Sequence, residues 1–295
     1  MSFANSETLV KQASLLRLAA IDLAEGMKSG SFRSLYRGQG IEFCDVRDYI
    51  RGDDIRSIDW NVTARMGKPY VKMYEEEREL QIFLVVDSSL SMSVASDKVS
   101  KFSIAAYSAA ILAIAAEIND SPLGAVFFDK TIKFSCAPEF GRERTMVVLT
   151  QLDKLSENKD SGSILGNALT GAGKLLRKRS LVFVFSDFRS GGWEKPLITL
   201  SQKHDVIAIN IKDKLDEELP SLGTVPFEDL ESGLTMTLPS SSPKFKKAWK
   251  EFDENNTKHM TNTCLKHGIL PVIMNTKDDP LAVLNSIFAH KTKLR

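Results

Sequence analysis

Two aspartates in this chain close apolar runs of strand length. Asp87 follows Leu80–Val86, and Asp187 comes one residue after Leu181–Phe185. Asp87 opens the stretch Asp-Ser-Ser-Leu-Ser, and in a tight loop Asp87, Ser89 and Ser91 turn their oxygens to one point while the intervening residues face away. A further hydroxyl, Ser163, stands just before a segment with the periodicity of a helix. Two carboxylates and three hydroxyls form a hard, all-oxygen set with no thiolate or imidazole, which suits Mg²⁺ or Mn²⁺ rather than zinc. The competing reading of Asp87, Ser89 and Ser91 is a capped turn, since Asp and Ser satisfy free backbone donors without any metal.

The elements that would hold these residues alternate between strand and helix from Leu80 onward. Leu80–Val86 is a continuous, β-branched and aromatic run of the kind buried on both faces of a sheet. A helix capped at Ser96 or Asp97 runs to Ile118 and is broken by Asn119-Asp120-Ser121-Pro122. Leu123–Phe128 and Thr131–Ser135 flank Asp129-Lys130 as a hairpin. Helices over 144–155 and 164–177, strands over 181–185, 206–211 and 269–273, and helices over 193–204, 244–267 and after Asp279 complete the series. Such alternation predicts an α/β fold: an open, mostly parallel sheet with helices on both faces and one antiparallel edge strand. Ligands of such sheets bind beyond the carboxyl ends of the strands, which is where both aspartates fall.

Ahead of this unit, Leu9, Ala13, Leu16, Ala20, Leu23 and Met27 recur on one helical stripe, which Gly30 is expected to end. Residues 33–65 then mix Arg33, Arg37, Arg47, Arg51, Arg56 and Arg65 with Asp45, Asp48, Asp53, Asp54 and Asp59, interleaved with Ile50, Ile55, Ile58 and Trp60. That composition predicts a folded, salt-bridged wrap that supports the sheet, with Arg51-Gly52-Asp53 as one of its turns. The acidic run Glu75, Glu76, Glu77 and Glu79 leads from it into the first core strand as a solvated face. The organisation expected is therefore an N-terminal helix and charged segment over 1–79, then the sheet domain over 80–295 with an insertion near 212–243.

With 39 Lys and Arg against 38 Asp and Glu, the net charge of +1 lacks the basic excess of a nucleic-acid-coating protein. Cys44, Cys136 and Cys264 are too few and too scattered for a disulfide framework or a thiolate zinc site, which suggests a reducing compartment and a cytoplasmic location. The N-terminal residues lack a signal-peptide pattern. The apolar stretch Ile104–Ile118 falls short of the ~20 residues that span a bilayer, so membrane insertion is not expected.

The loop Asp87-x-Ser89-x-Ser91, Ser163 before Ala168-Leu169, and Asp187 after an apolar strand resemble the metal-ion-dependent adhesion site of von Willebrand factor A-type domains. Gly40-Ile-Glu-Phe43, Arg47-Asp-Tyr49, the stretch Arg51–Trp60, Ala64-Arg65 and Glu231-Ser-Gly233 resemble the DUF58 family, a bacterial group with a von Willebrand A-like domain. The resemblance implies a Rossmann-like sheet, a divalent cation held by Asp87, Ser89, Ser91, Ser163 and Asp187, and a partner of the MoxR-type AAA+ ATPase class. Two positions depart from the adhesion-site pattern. Ser163 stands where threonine is usual, and Phe188 replaces the glycine that commonly follows the second aspartate, placing a large ring at the rim.

Other signals are weaker. A strand-end aspartate followed by hydroxyls could open a Mg²⁺-dependent phosphohydrolase site, but Ser89 stands where the general-acid aspartate of such sites would be. His204, His259, His267 and His290 have no evident pairing with a serine nucleophile. Gly171-Ala-Gly173-Lys174 lacks the spacing of a phosphate loop. Lys244, Lys246, Lys247 and Lys250 around Trp249 read as a solvated helix face. The expectation is a non-catalytic, cytoplasmic protein-interaction module, with a phosphohydrolase as the alternative.

Overall fold

The computed structural model describes residues 9–29, 37–77, 80–155, 163–221, 223–228 and 235–290. The stop expected at Gly30, Arg33, Glu79 and the Glu231-Ser-Gly233 motif lie outside them.

The chain runs from α1 (Leu9–Ser29) into a hairpin of β1 (Arg37–Asp48) and β2 (Tyr70–Glu77), whose connection contains a 3-10 turn (Ile55–Ser57) and the short helix α2 (Trp60–Met66). The sheet domain follows as β3 (Gln81–Asp87), a 3-10 turn (Leu90–Ser93), α3 (Lys101–Ile118), β4 (Leu123–Phe128), β5 (Ile132–Glu139), α4 (Arg142–Leu155), α5 (Leu165–Leu175) and β6 (Ser180–Ser186). It continues through α6 (Glu194–Ser201), β7 (Asp205–Lys212), α7 (Lys214–Glu217), the hairpin β8 (Thr224–Glu228) and β9 (Thr235–Pro239), α8 (Pro243–Lys266), β10 (Leu270–Asn275) and α9 (Pro280–His290).

Six strands form one sheet in the order β10-β7-β6-β3-β4-β5, parallel except for the edge strand β5. This is the α/β architecture expected from the strand and helix alternation. After β3 the chain builds outward through β4 and β5, then crosses back to lay β6 on the other side of β3. That reversal beside β3 makes the carboxyl ends of β3 and β6 the switch point of the sheet.

The period of two along β3 divides its side chains between two cores. Ile82, Leu84 and Val86 join the face covered by α1, α3, α4 and α9, while Phe83 and Val85 join the face covered by α5, α6 and α8. Both faces are covered, so the strand is apolar at every position from Ile82 to Val86. Helix α3 is buried nearly all round because α1 lies over it on the side away from the sheet. Among the described residues it is the one helix long and apolar enough to cross a bilayer, and here it forms the centre of the larger core. It begins at Lys101 and is capped by Ser100, whose hydroxyl accepts from the Ser103 amide, rather than by Ser96 or Asp97.

The charged segment departs from the expected wrap. Residues 49–69 form the tip of a hairpin arm, closed where the Tyr49 amide donates to the Pro69 carbonyl (2.9 Å) and the Asp59 amide to the Tyr70 carbonyl (2.8 Å). Its carboxylates serve the arm itself. Asp53 pairs in a fork with Arg47 at 2.7 Å and accepts from the Ile50 amide, so the Arg51-Gly52-Asp53 turn has its acid already engaged. Asp54 caps the 3-10 turn and Asp59 caps α2. Trp60 is not a core residue: it is 65% exposed, because the helix it opens turns that position outward.

Candidate functional site at the strand ends

Asp87 is the last residue of β3, with its side chain fully withdrawn from solvent. One carboxylate oxygen accepts from the Ser89 amide at 2.9 Å, an Asx turn that reverses the chain into the loop. The other accepts from the Ser163 hydroxyl at 3.0 Å and the Ser186 hydroxyl at 2.7 Å. Ser88 points the other way, its amide and hydroxyl both donating to the Phe128 carbonyl (2.7 and 2.9 Å). That alternation brings Ser89 and Ser91 together on the Asp87 side, with their hydroxyl oxygens 3.1 Å apart. The Ser91 hydroxyl in turn stands near enough to Asp187 to favour its ionised form. All five residues singled out in the sequence therefore meet in one cluster, joined by Ser186, which the sequence reading passed over as the end of a strand.

Ser163 reaches this point because the Ile164 amide donates to the Asp129 carbonyl (2.9 Å), fixing the entry to α5 beside the end of β4. Helix α5 lies so close to the loop after β6 that a Cβ on Gly166 would stand 2.6 Å from the Gly192 carbonyl oxygen. Phe188, expected to crowd the rim, instead takes φ of 52° and turns its ring into the smaller core, edge-on to Trp193 at 5.3 Å between ring centres. The left-handed backbone at this position is where a glycine would sit without strain.

Asp187 is held by a cation the sequence reading did not single out. Lys101, the first residue of α3, is fully buried, and its Nζ lies 2.9 Å from Asp187 and 3.3 Å from Asp216. From there ion pairs continue outward: Arg189 to Asp216 (3.1 Å) and Asp253 (3.5 Å), and Lys212 to Asp253 (2.6 Å) and Glu217 (3.1 Å). Arg189, Lys212, Asp216 and Asp253 line a small polar cleft with Asn210, Asn256 and Thr257. A single lysine opening an otherwise apolar helix was the available signal. A third strand-end acid, Asp213, follows β7. Its carboxylate accepts from the Leu215 amide and from the hydroxyls of Ser96 and Thr276, tying together the loops after β3, β7 and β10.

The electrostatics of the two aspartates diverge. Burial, and then the nearby charge of Asp187, push Asp87 up to about 6 against the hydrogen bonds from Ser89 and Ser186. Asp187 is equally buried, but the charges of Lys101 and Arg189 and the hydrogen bonds from Lys101 and Ser91 outweigh burial and hold it below the ordinary carboxylate range. Asp187 thus has its countercharge in Lys101, whereas Asp87 has only dipoles around it. That is the deficit a bound cation would offset. Among the described residues no group of three or more His, Cys, Asp and Glu is placed to hold a metal. An ion here would depend on serine hydroxyls, and such a donor set fits Mg²⁺ or Mn²⁺. Asp87 and the hydroxyls of Ser89, Ser91 and Ser163 would hold it. Asp187, whose charge is already paired with Lys101, would suit contact through water.

Among the described residues, His204, His259, His267 and the Gly171–Lys174 stretch have surroundings of their own. His259 pairs with Glu194 and His267 with the Thr263 carbonyl, while His204 is buried at the end of α6. Gly171-Ala-Gly173-Lys174 lies inside α5, so its amides are spent on the helix. Trp249, amid its lysines, donates to the Leu215 carbonyl and lies under the Arg189 guanidinium.

The family model described as "Protein of unknown function DUF58" matches residues 45–261. Uncharacterised proteins of Mycobacterium tuberculosis and Mycobacterium bovis are 30% identical over 221 residues, 74% of this chain and 70% of theirs. Among solved structures, an aerotolerance-related membrane protein from Bacteroides fragilis is similar at 16% identity and a TM-score of 0.49, over 73% of this chain and all of that one. The VWA domain of SpRpn10 is similar at 12% identity and a TM-score of 0.38, over 70% of this chain and 93% of that one.

Proposed function

This chain belongs to the DUF58 family, and we propose that it is a non-catalytic protein-interaction module whose binding surface is the loop cluster at the carboxyl ends of β3 and β6. The observation that carries this reading is the convergence of Asp87, Ser89, Ser91, Ser163 and Asp187 on one loop cluster at the carboxyl ends of β3 and β6. A divalent cation bound there would supply an open coordination position for an acidic side chain of a partner. The chain's own residues do the rest. Asp87 and the three serines provide the oxygens, Ser186 orients the Asp87 carboxylate, and Lys101 holds Asp187 in place. On the family resemblance, the partner to test first is a MoxR-type AAA+ ATPase; the sparse, scattered cysteines support the cytoplasm as the compartment.

Calorimetry with MgCl₂ and MnCl₂ tests the ion. Saturable binding that Asp87→Ala abolishes is expected, and equal heats from both proteins would reduce the cluster to a capped turn. Binding of the MoxR-type ATPase to the wild type, lost in Asp87→Ala, is the matching expectation for the partner. Metal-dependent phosphatase turnover removed by Asp87→Asn would instead establish the phosphohydrolase reading.

A further inference from the structure

The arm tip leaves an unusual residue set facing solvent. Ile50, Ile55, Trp60 and Met66 are 64%, 65%, 65% and 60% exposed, all within the closed loop of residues 49–69. The carboxylates of the tip itself are committed internally. Asp53 is taken by Arg47, and Asp54 and Asp59 cap their helical turns. The cations divide differently. Arg47 is paired, whereas Arg51, Arg56, Arg65 and Lys68 are exposed and their side chains have no ion pair or hydrogen bond among the described residues. The surface therefore offers positive charge outward although the acids and bases of this stretch nearly balance in number.

We propose that this tip is a second docking surface, separate from the strand-end cluster, for an acidic segment of a partner protein that carries apolar anchors. Charge complementarity calls for the acid, and the four exposed apolar side chains call for the anchors. The two kinds of group are interleaved: Ile50 adjoins Arg51, Ile55 adjoins Arg56, and Met66 adjoins Arg65. Tryptophan and arginine, both exposed here, are residues in which protein-interaction hot spots are enriched. A helix that lies on a membrane segregates its apolar and basic residues onto opposite faces. Single-stranded nucleic acid is read through several stacking aromatics, whereas three of these four side chains are aliphatic.

The test uses the full chain and a dye-labelled synthetic peptide of glutamate, leucine and phenylalanine, followed by fluorescence anisotropy. The comparison ligands are the same peptide with lysine for glutamate, vesicles of phosphatidylcholine with phosphatidylglycerol, and a single-stranded oligonucleotide. The glutamate peptide is expected to bind in preference to all three, to weaken as salt is raised, and to shift the Trp60 emission to shorter wavelength. Trp60→Ala and the triple variant Arg51→Glu/Arg56→Glu/Arg65→Glu should each weaken it about tenfold or more. Both variants should keep the wild-type melting temperature, since every altered side chain is exposed. Parallel Mg²⁺ titrations of these variants should match the wild type, which keeps failure here separable from failure at the strand ends. No binding of the glutamate peptide, equal binding by the variants, or tighter binding of vesicles or oligonucleotide would overturn the proposal.

Discussion

The ammonium of Lys101 and the carboxylate of Asp187 meet at 2.9 Å with both side chains withdrawn from water. A lysine this deep is tolerable only because Asp216 flanks it as well. Lys101→Met would leave the buried carboxylates of Asp187 and Asp216 with only the partly exposed Arg189 as countercharge. A loss of about 3–5 kcal/mol in unfolding free energy is expected, read by urea denaturation. A loss below about 1 kcal/mol would mean that solvent reaches the pair.

Phe188 sets backbone strain against side-chain packing. Removing its ring should cost about 3–5 kcal/mol whichever small residue replaces it. Alanine would keep the left-handed strain of about 1–3 kcal/mol, whereas glycine sheds it and loses only about 0.4–1 kcal/mol through its freer unfolded chain. Phe188→Gly is therefore expected to melt above Phe188→Ala, the reverse of the usual ranking of these residues.

Trp60 and Trp193 make a paired comparison. Trp193 is 3% exposed, packed on Phe188 and His259, and Trp193→Ala should cost about 3–5 kcal/mol. Trp60→Ala should stay within about 0.5 kcal/mol of the wild type. Thermal melts of the two variants separate a core tryptophan from a surface one.

His204 supplies a pH dependence. Burial first, then the charges of Lys203 and Arg179, lower its pKa below 6.5 against the pull of Asp205. The ring is neutral in the fold, and its Nδ1 has no hydrogen-bond partner. Once pH falls through 6.5, the unfolded chain takes up the proton before the folded one, so stability declines until the folded pKa is reached. His204→Gln should make the denaturation midpoint less dependent on pH over that range.

Much of this arrangement was legible in the residues. The apolar runs ending at Asp87 and Ser186 predict parallel strands because a sheet covered on both faces permits no polar position until the strand leaves it. The alternation of Asp87, Ser89 and Ser91 predicts a shared side of the loop, and the loop delivers it. Lys101 was not legible as a site residue, since its partners Asp187 and Asp216 lie 86 and 115 positions away. The arm misled for a related reason. Aromatic and aliphatic residues among paired charges have the composition of a packed segment, and composition cannot say that the pairing closes the arm upon itself and leaves Trp60 outside.

Helix α1 rests on α3 and α9, with the Asn119 side chain donating to the Ala24 carbonyl. The segment made early is thus completed by one made much later, and the stripe of Leu16, Leu23 and Met27 lacks part of its cover until Pro280–His290 arrives. Loop closure over such a span is slow compared with local pairing. During synthesis the apolar stripe of α1 must wait in the open, which makes the nascent chain more prone to association than the finished fold.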